Sequence, residues 1–224
     1  MTTSSQRQGT GTVGGAAPAR PLGSSRRLIT TVALAVLLIA AIALANRSWS
    51  GGDSAAAATD PLSPEIPHSR EGAQNAAARI AAALGSEAMF SEQDRHNVVQ
   101  LVVEPDKRGE LQTAFDADYS ADLNKKIGLD AGGHPPAGAE FVSRTMPAGV
   151  TLRSYSPTEA IVEVWCSGLF GLTGKTVTEI PVKTSWFTMT LTVRWTDDGW
   201  RLSEFDQEDG PEPEAADFGK APQL

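Results

Sequence analysis

The chain is 224 residues long, with a formal net charge of −8 and a single cysteine. That length holds one globular domain with a real core and hardly two, and one cysteine excludes an intramolecular disulfide. No acid precedes residue 46, so beyond the four arginines of residues 1–27 the rest carries 15 basic against 27 acidic side chains, a net −12 that repels nucleic-acid phosphate.

Residues 1–27 are rich in Gly, Ser, Thr and Ala and have no apolar periodicity, which is the composition of a disordered tail. Gly9-Thr-Gly11-Thr-Val-Gly14 matches the dinucleotide fingerprint letter for letter. That motif works only between a strand and a helix, and no strand precedes it here, so the match is chance. Leu28–Ala45 then runs for 18 residues without a charge, Asn, Gln, Gly or Pro. As a helix it is about 27 Å long, against a hydrocarbon core of roughly 30 Å. Arg26 and Arg27 stand directly before it, which predicts a cytoplasmic N-terminus and an extracytoplasmic C-terminal domain on a single-pass cell-membrane anchor. A cleaved signal peptide is the alternative, with Ala43-Leu44-Ala45 as a small-x-small site. The length of the span and Trp49 beside it favour a retained anchor. Asn46-Arg47-Ser48 matches a glycosylation sequon but touches the membrane.

Residues 46–67 repeat the tail's composition and add Pro61, Pro64 and Pro67, which reads as a tether, flexible first and stiffer near its end. The folded domain is expected over residues 68–207, followed by an acidic, Pro-containing tail over 208–224. Its first half reads as three helices. Ser69 caps one through about Leu84, ended by Gly85. Ser91 and Asp94 resemble a capping box that opens a second, stopped by Pro105. Asp106 is placed to cap a third, in which Leu111, Phe115, Tyr119 and Leu123 recur every four residues until Gly128.

The second half reads as about five strands. Glu140–Met146 and Val150–Tyr155 are separated by the turn signal Pro147-Ala148-Gly149, and Glu159–Cys166 is β-branched and aromatic. Over Lys183–Trp195, Phe187, Met189, Leu191, Val193 and Trp195 alternate with Trp186, Thr188, Thr190, Thr192 and Arg194, one apolar face and one largely polar. Asp198-Gly199 supplies a hairpin turn. In the returning strand Trp200, Leu202 and Glu204 oppose Arg201, Ser203 and Phe205. Helices followed by an antiparallel meander make an α+β domain.

Few residues suggest chemistry. Gly174-Lys175-Thr176 looks like the end of a phosphate loop, but the required first glycine falls on Leu169. Gly168–Gly174 reads instead as a mobile loop between strands, with Leu169, Phe170, Leu172 and Lys175 as a candidate interaction loop, or with its apolar residues packed beneath it. Cys166 sits in an apolar run and reads as a small core residue, with an intermolecular disulfide as the alternative. His68, His96 and His134 are far apart, so neither a metal nor another cofactor is expected.

The order of helices and strands, closing on Leu191-Thr-Val-Arg-Trp-Thr-Asp-Asp-Gly-Trp-Arg-Leu202, resembles the nuclear-transport-factor-2-like fold, in which N-terminal helices close the concave face of a curved sheet. Enzymes of that superfamily place an acid, a Tyr or a His in the cone. The candidate cavity residues the resemblance implies are Asp118, Tyr119 and Arg194. Tail, span, tether and one such domain resemble the membrane scaffold components of conjugative and type IV secretion machinery, including Gram-positive relatives. The Ala/Gly-rich composition and Asp209-Gly-Pro-Glu-Pro213 are similar to Streptomyces-type actinobacterial membrane proteins, some from integrative conjugative elements. The resemblance implies a non-enzymatic assembly component. Its partners would be the membrane, other membrane-complex proteins and further copies of itself, without direct nucleic-acid contact. The alternatives are a ligand-binding accessory protein of a lipid-import system and an isomerase- or dehydratase-like enzyme.

Overall fold

The structure, a computed structural model, describes residues 60–62, 65–174 and 180–214. The expected cytoplasmic tail, the span Leu28–Ala45 and most of the tether lie outside the described residues. Among the described residues no helix is long and apolar enough to cross a membrane.

The domain is α+β, with helices first and a four-stranded antiparallel sheet after them. Helix α1 spans Arg70–Leu84; the Ser69 hydroxyl accepts from the Gly72 amide at 3.0 Å, and Gly85 forms the C-cap. Its buried face is Ala73, Ala76, Ala77, Ile80, Ala81 and Leu84, mostly small side chains that let it lie close against all four strands. Gly85 shows how close: a Cβ there would stand 1.8 Å from the Thr145 hydroxyl. Helix α2, Glu92–Val102, begins at Ser91, whose hydroxyl accepts from the Asp94 amide.

The third helix departs from expectation. Pro105–Lys107 forms a 3-10 turn, so Asp106 caps nothing, and α3 runs from Arg108 to Asp118. Tyr119 then leaves helical geometry (φ −89°, ψ 50°), and a separate helix α4, Ala121–Lys126, starts where the Ser120 hydroxyl accepts from the Leu123 amide. An apolar residue every fourth position continues through the break because both short helices pack on the same core; the periodicity could not reveal the cap. Gly128, at φ +82°, closes α4.

The strands are β1 (Ala139–Tyr155), β2 (Glu159–Gly174), β3 (Lys183–Thr196) and β4 (Gly199–Asp209), paired in that order. β1 is one bulged strand where two were expected. Its register slips between Pro147 and Gly149 and again between Leu152 and Ser154. Proline and glycine here mark a bulge on an edge strand, where a missing N–H is tolerated. Likewise Gly168–Gly174 is not a loop. It completes β2, pairing with residues 139–145 of β1. The hairpin at Asp198-Gly199 forms as expected, with Gly199 at φ +95°. β4 carries a bulge at Ser203, because Thr192 pairs with Glu204 and Val193 with Leu202. The bulge shifts the alternation, so Trp200, Leu202 and Phe205 are all buried, correcting the expected opposition of Phe205 to Trp200.

One core lies between α1 and the inner sheet face, built from Ala160, Val162, Val164, Cys166, Leu191, Val193, Trp200 and Leu202. The chain ahead of α1 joins it. Leu62 and Ile66 are buried, and the Trp200 indole donates to the Pro67 carbonyl at 3.1 Å. His68 stacks on Trp195 (centroids 3.9 Å apart, 5° between planes) and meets Trp200 edge-on. The last residues of the expected tether are therefore part of the domain.

Candidate functional site

At the end of the inner sheet face below the C-terminus of α1, aromatic rings gather. Phe90 meets Phe141 (4.8 Å, 77°) and Tyr119 (5.0 Å, 84°) edge-to-face, and Phe115 stacks on Phe205 at 5.6 Å. Between the C-terminal end of α1, the end of α3 and the middle strands they leave a cavity of about 80 Å³. Its apolar wall includes Leu84, Phe115, Tyr119, Phe187 and Met189, and Ser143, Arg144 and Gln207 also line it.

Of the three residues expected in such a cavity, only Tyr119 lines it. Burial pushes its hydroxyl pKa well above the ordinary phenol value, with the neighbouring Asp118 charge adding to the shift. Asp118 is half-buried beside the cavity, and burial raises its carboxyl pKa. Arg194 is elsewhere. It projects from the polar face of β3, 48% exposed, with Nε 2.9 Å from Glu159 and Nη1 3.6 Å from Glu104. The three candidates therefore do not gather in one cavity among the described residues.

The expected interaction loop is redistributed as well. Phe170 and Leu172 point into the core, 7% and 6% exposed, because their strand continues the alternation of Val162, Val164 and Cys166. Leu169 is half-buried, and Lys175 lies outside the described residues. Cys166 is buried, and burial pushes its thiol up to about 12, as for an inert core residue.

The outer face of the sheet is of another character. Trp165 and Trp186 stack with centroids 4.5 Å apart. The chain leaving β4 folds over them: the Gly210 amide donates to the Trp186 carbonyl, the Thr188 hydroxyl to the Gly210 carbonyl, and the Trp165 indole to the Pro211 carbonyl, at 2.7, 2.9 and 2.9 Å. Arg153 pairs with Glu163 on the same face. The sequence offered one sign of this arrangement, a tryptophan on the polar side of an alternating strand. The partner strand's tryptophan was hidden in an apolar run.

A polar cluster joins α2 to α3. Arg95, 3% exposed, donates through Nη1 to the Met89 carbonyl and through Nε to Asp116, both at 2.9 Å. His96 Nε2 lies 3.0 Å from both Asp116 oxygens. Partial burial raises the Asp116 pKa, but the hydrogen bonds and charges of Arg95 and His96 outweigh it and hold the carboxyl below its ordinary value. Histidine and aspartate make a dyad here, yet the guanidinium occupies the carboxylate and the whole acts as a clamp between helices. Among the described residues no three His, Cys, Asp or Glu side chains gather as metal ligands.

Residues 67–219 match the family described as a domain of unknown function, DUF8175, and the chain belongs to that family. A comparison with curated proteins finds no match. Among solved structures, the chain is similar to an IcmL-like type IV secretion system protein from Legionella pneumophila, at 9% identity over 66% of this chain and 98% of that one, with a TM-score of 0.47. It is similar to CagV, a VirB8 homologue of the type IV secretion system from Helicobacter pylori, at 8% identity over 62% and 97%, with a TM-score of 0.40. A third is the intermembrane space region of the chloroplast protein ARC6, at 18% identity over 63% and 98%, with a TM-score of 0.39.

Proposed function

We propose that this DUF8175 member is a non-enzymatic, membrane-anchored assembly component, working in a conjugation or secretion apparatus through the surface of its extracytoplasmic domain. The observation that carries the non-enzymatic part is the filled inner side of the sheet. Its cavity of about 80 Å³ compares with the roughly 300–1,000 Å³ of sites that enclose a small molecule. Tyr119, Asp118 and Arg194 do not converge there. A lipid-import or isomerase-like role would need a larger cavity or such a convergence.

The location and the apparatus rest on the sequence: four arginines and no acid before an 18-residue apolar span, then a tether and a single α+β domain. The contact surface we assign is the outer sheet face around Trp186 and Met146.

In-cell crosslinking of the tagged full-length protein, followed by purification from membranes and mass spectrometry, tests this reading. Recovery with a DNA-translocating ATPase or other transfer-apparatus subunits is the expected result. Recovery alone, or with lipid-binding import proteins, overturns the assignment.

A further inference from the structure

Trp165 is buried although it stands on the outer face of β2, away from the helices. What hides it is Trp186 and the chain leaving β4. The hydrogen bonds that hold this chain all go to backbone atoms of one Gly-Pro step. The Trp186 carbonyl accepts from the Gly210 amide, the Thr188 hydroxyl donates to the Gly210 carbonyl, and the Trp165 indole donates to the Pro211 carbonyl. The face thus offers one acceptor and two donors at successive points along a short backbone. It asks for no N–H at the second residue, where proline has none.

The segment's side chains take no part in these bonds. Glu212, Pro213 and Glu214 are exposed, so the hold is concentrated on Gly210 and Pro211. The strand ladder does not depend on it either, because the last β3–β4 pair is Phe187 with Asp209. A proline step is stiff before it docks, and aromatic-lined surfaces that recognise proline-bearing segments exploit that low entropy cost.

We propose that the Trp165–Trp186 pair is a binding site for a Gly-Pro segment of a partner chain, and that Gly210–Pro211 of this chain is its built-in competitor. The proposal rests on reading the outer face as a contact surface, and it names the chemistry that this face selects. Glycine is needed before the proline because Gly210 sits at φ +75°, where an L side chain is strained. A partner must displace the resident segment, so its apparent affinity is reduced by the fraction of molecules in which the site is open.

The test is calorimetric titration of the full-length protein, solubilised in detergent, with the peptide Glu-Asp-Gly-Pro-Glu-Pro-Glu, which repeats residues 208–214. Gly210→Ala in the protein strains the resident segment and leaves the tryptophans untouched, since a Cβ there meets nothing closer than 3.7 Å. This variant and a stop after Asp209 are each expected to bind the peptide about tenfold more tightly than the native chain. Adding Trp165→Phe to either is expected to remove most of that gain. A peptide with alanine for its first proline is expected to bind several-fold more weakly. Absence of binding to both opened variants overturns the proposal, as does binding that ignores Trp165 or the proline. If the opened variants associate with each other and the peptide does not part them, a second copy covers the pair by another surface, and the proposal falls. Peptide binding to purified protein does not depend on which proteins crosslink in cells, so this inference and the assembly reading fail separately.

Discussion

The two faces of the sheet use the same four strands and are held by opposite means. The inner face is aliphatic and aromatic, sealed under α1, and its stability comes from removing apolar area from water. The outer face carries threonines, ion pairs and two stacked tryptophans tied to the chain end by directional hydrogen bonds. Burial tolerates no vacancy, whereas a hydrogen-bonded surface can lose a member and be re-solvated. The fold therefore depends more on its inner face than on its outer one.

Substitutions of decreasing severity sharpen that contrast. Trp200→Ala removes a fully buried inner side chain that also holds Pro67, and a loss of about 3–5 kcal/mol is expected in denaturant unfolding. Asp116→Asn leaves buried Arg95 without its charge partner; about 2 kcal/mol is expected, less than for a fully buried pair because solvent reaches Asp116. The sign with pH follows from its lowered carboxyl pKa. The stabilisation is complete above the unfolded carboxylate value near 3.9 and is lost as pH falls through the lower folded value. The gap in melting temperature between wild type and Asp116→Asn should therefore close in acid.

Asp118, two residues along, should behave inversely. Its pKa is raised by burial, so ionisation disfavours the folded state. Asp118→Asn should raise the melting temperature at neutral pH, with the gain fading on acidification.

On the outer face Trp165→Phe keeps a ring on Trp186 and loses the bond to Pro211, at an expected cost of about 1 kcal/mol. Smallest is Arg194→Ala, whose exposed pair with Glu159 should be worth about 0–1 kcal/mol in the same denaturant assay, with the longer contact to buried Glu104 adding to it. An outer-face loss as large as that of Trp200→Ala would break the distinction between the faces.

Features encoded locally were readable before the fold was known. The caps at Ser69 and Ser91 and the alternation from Phe187 to Trp195 need only neighbours a few residues away, and the structure repeats them. The misreadings came where a residue with local meaning was overridden by what it packs against. Pro147 and Gly149 signal a turn, yet β2 pairs across them and absorbs the irregularity as a bulge. Gly168 and Gly171 signal a loop, yet the buried side of Phe170 and Leu172 keeps β2 extended. Asp118, Tyr119 and Arg194 came as a set from the resemblance, and the structure separates them: Tyr119 lines the cavity, Asp118 stands beside it, and Arg194 lies on the polar side of β3. The clamp of Arg95 on Asp116, 21 residues apart, and the bond of Trp165 to Pro211, 46 apart, have no periodic signature.

The docking of Leu62, Ile66 and His68 also has a mechanical consequence. A pull arriving from the N-terminal side meets this short segment before it reaches the first turn of α1. To peel it away, the pull must extract two aliphatic side chains, unstack His68 from Trp195 and break the bond from Trp200 to Pro67.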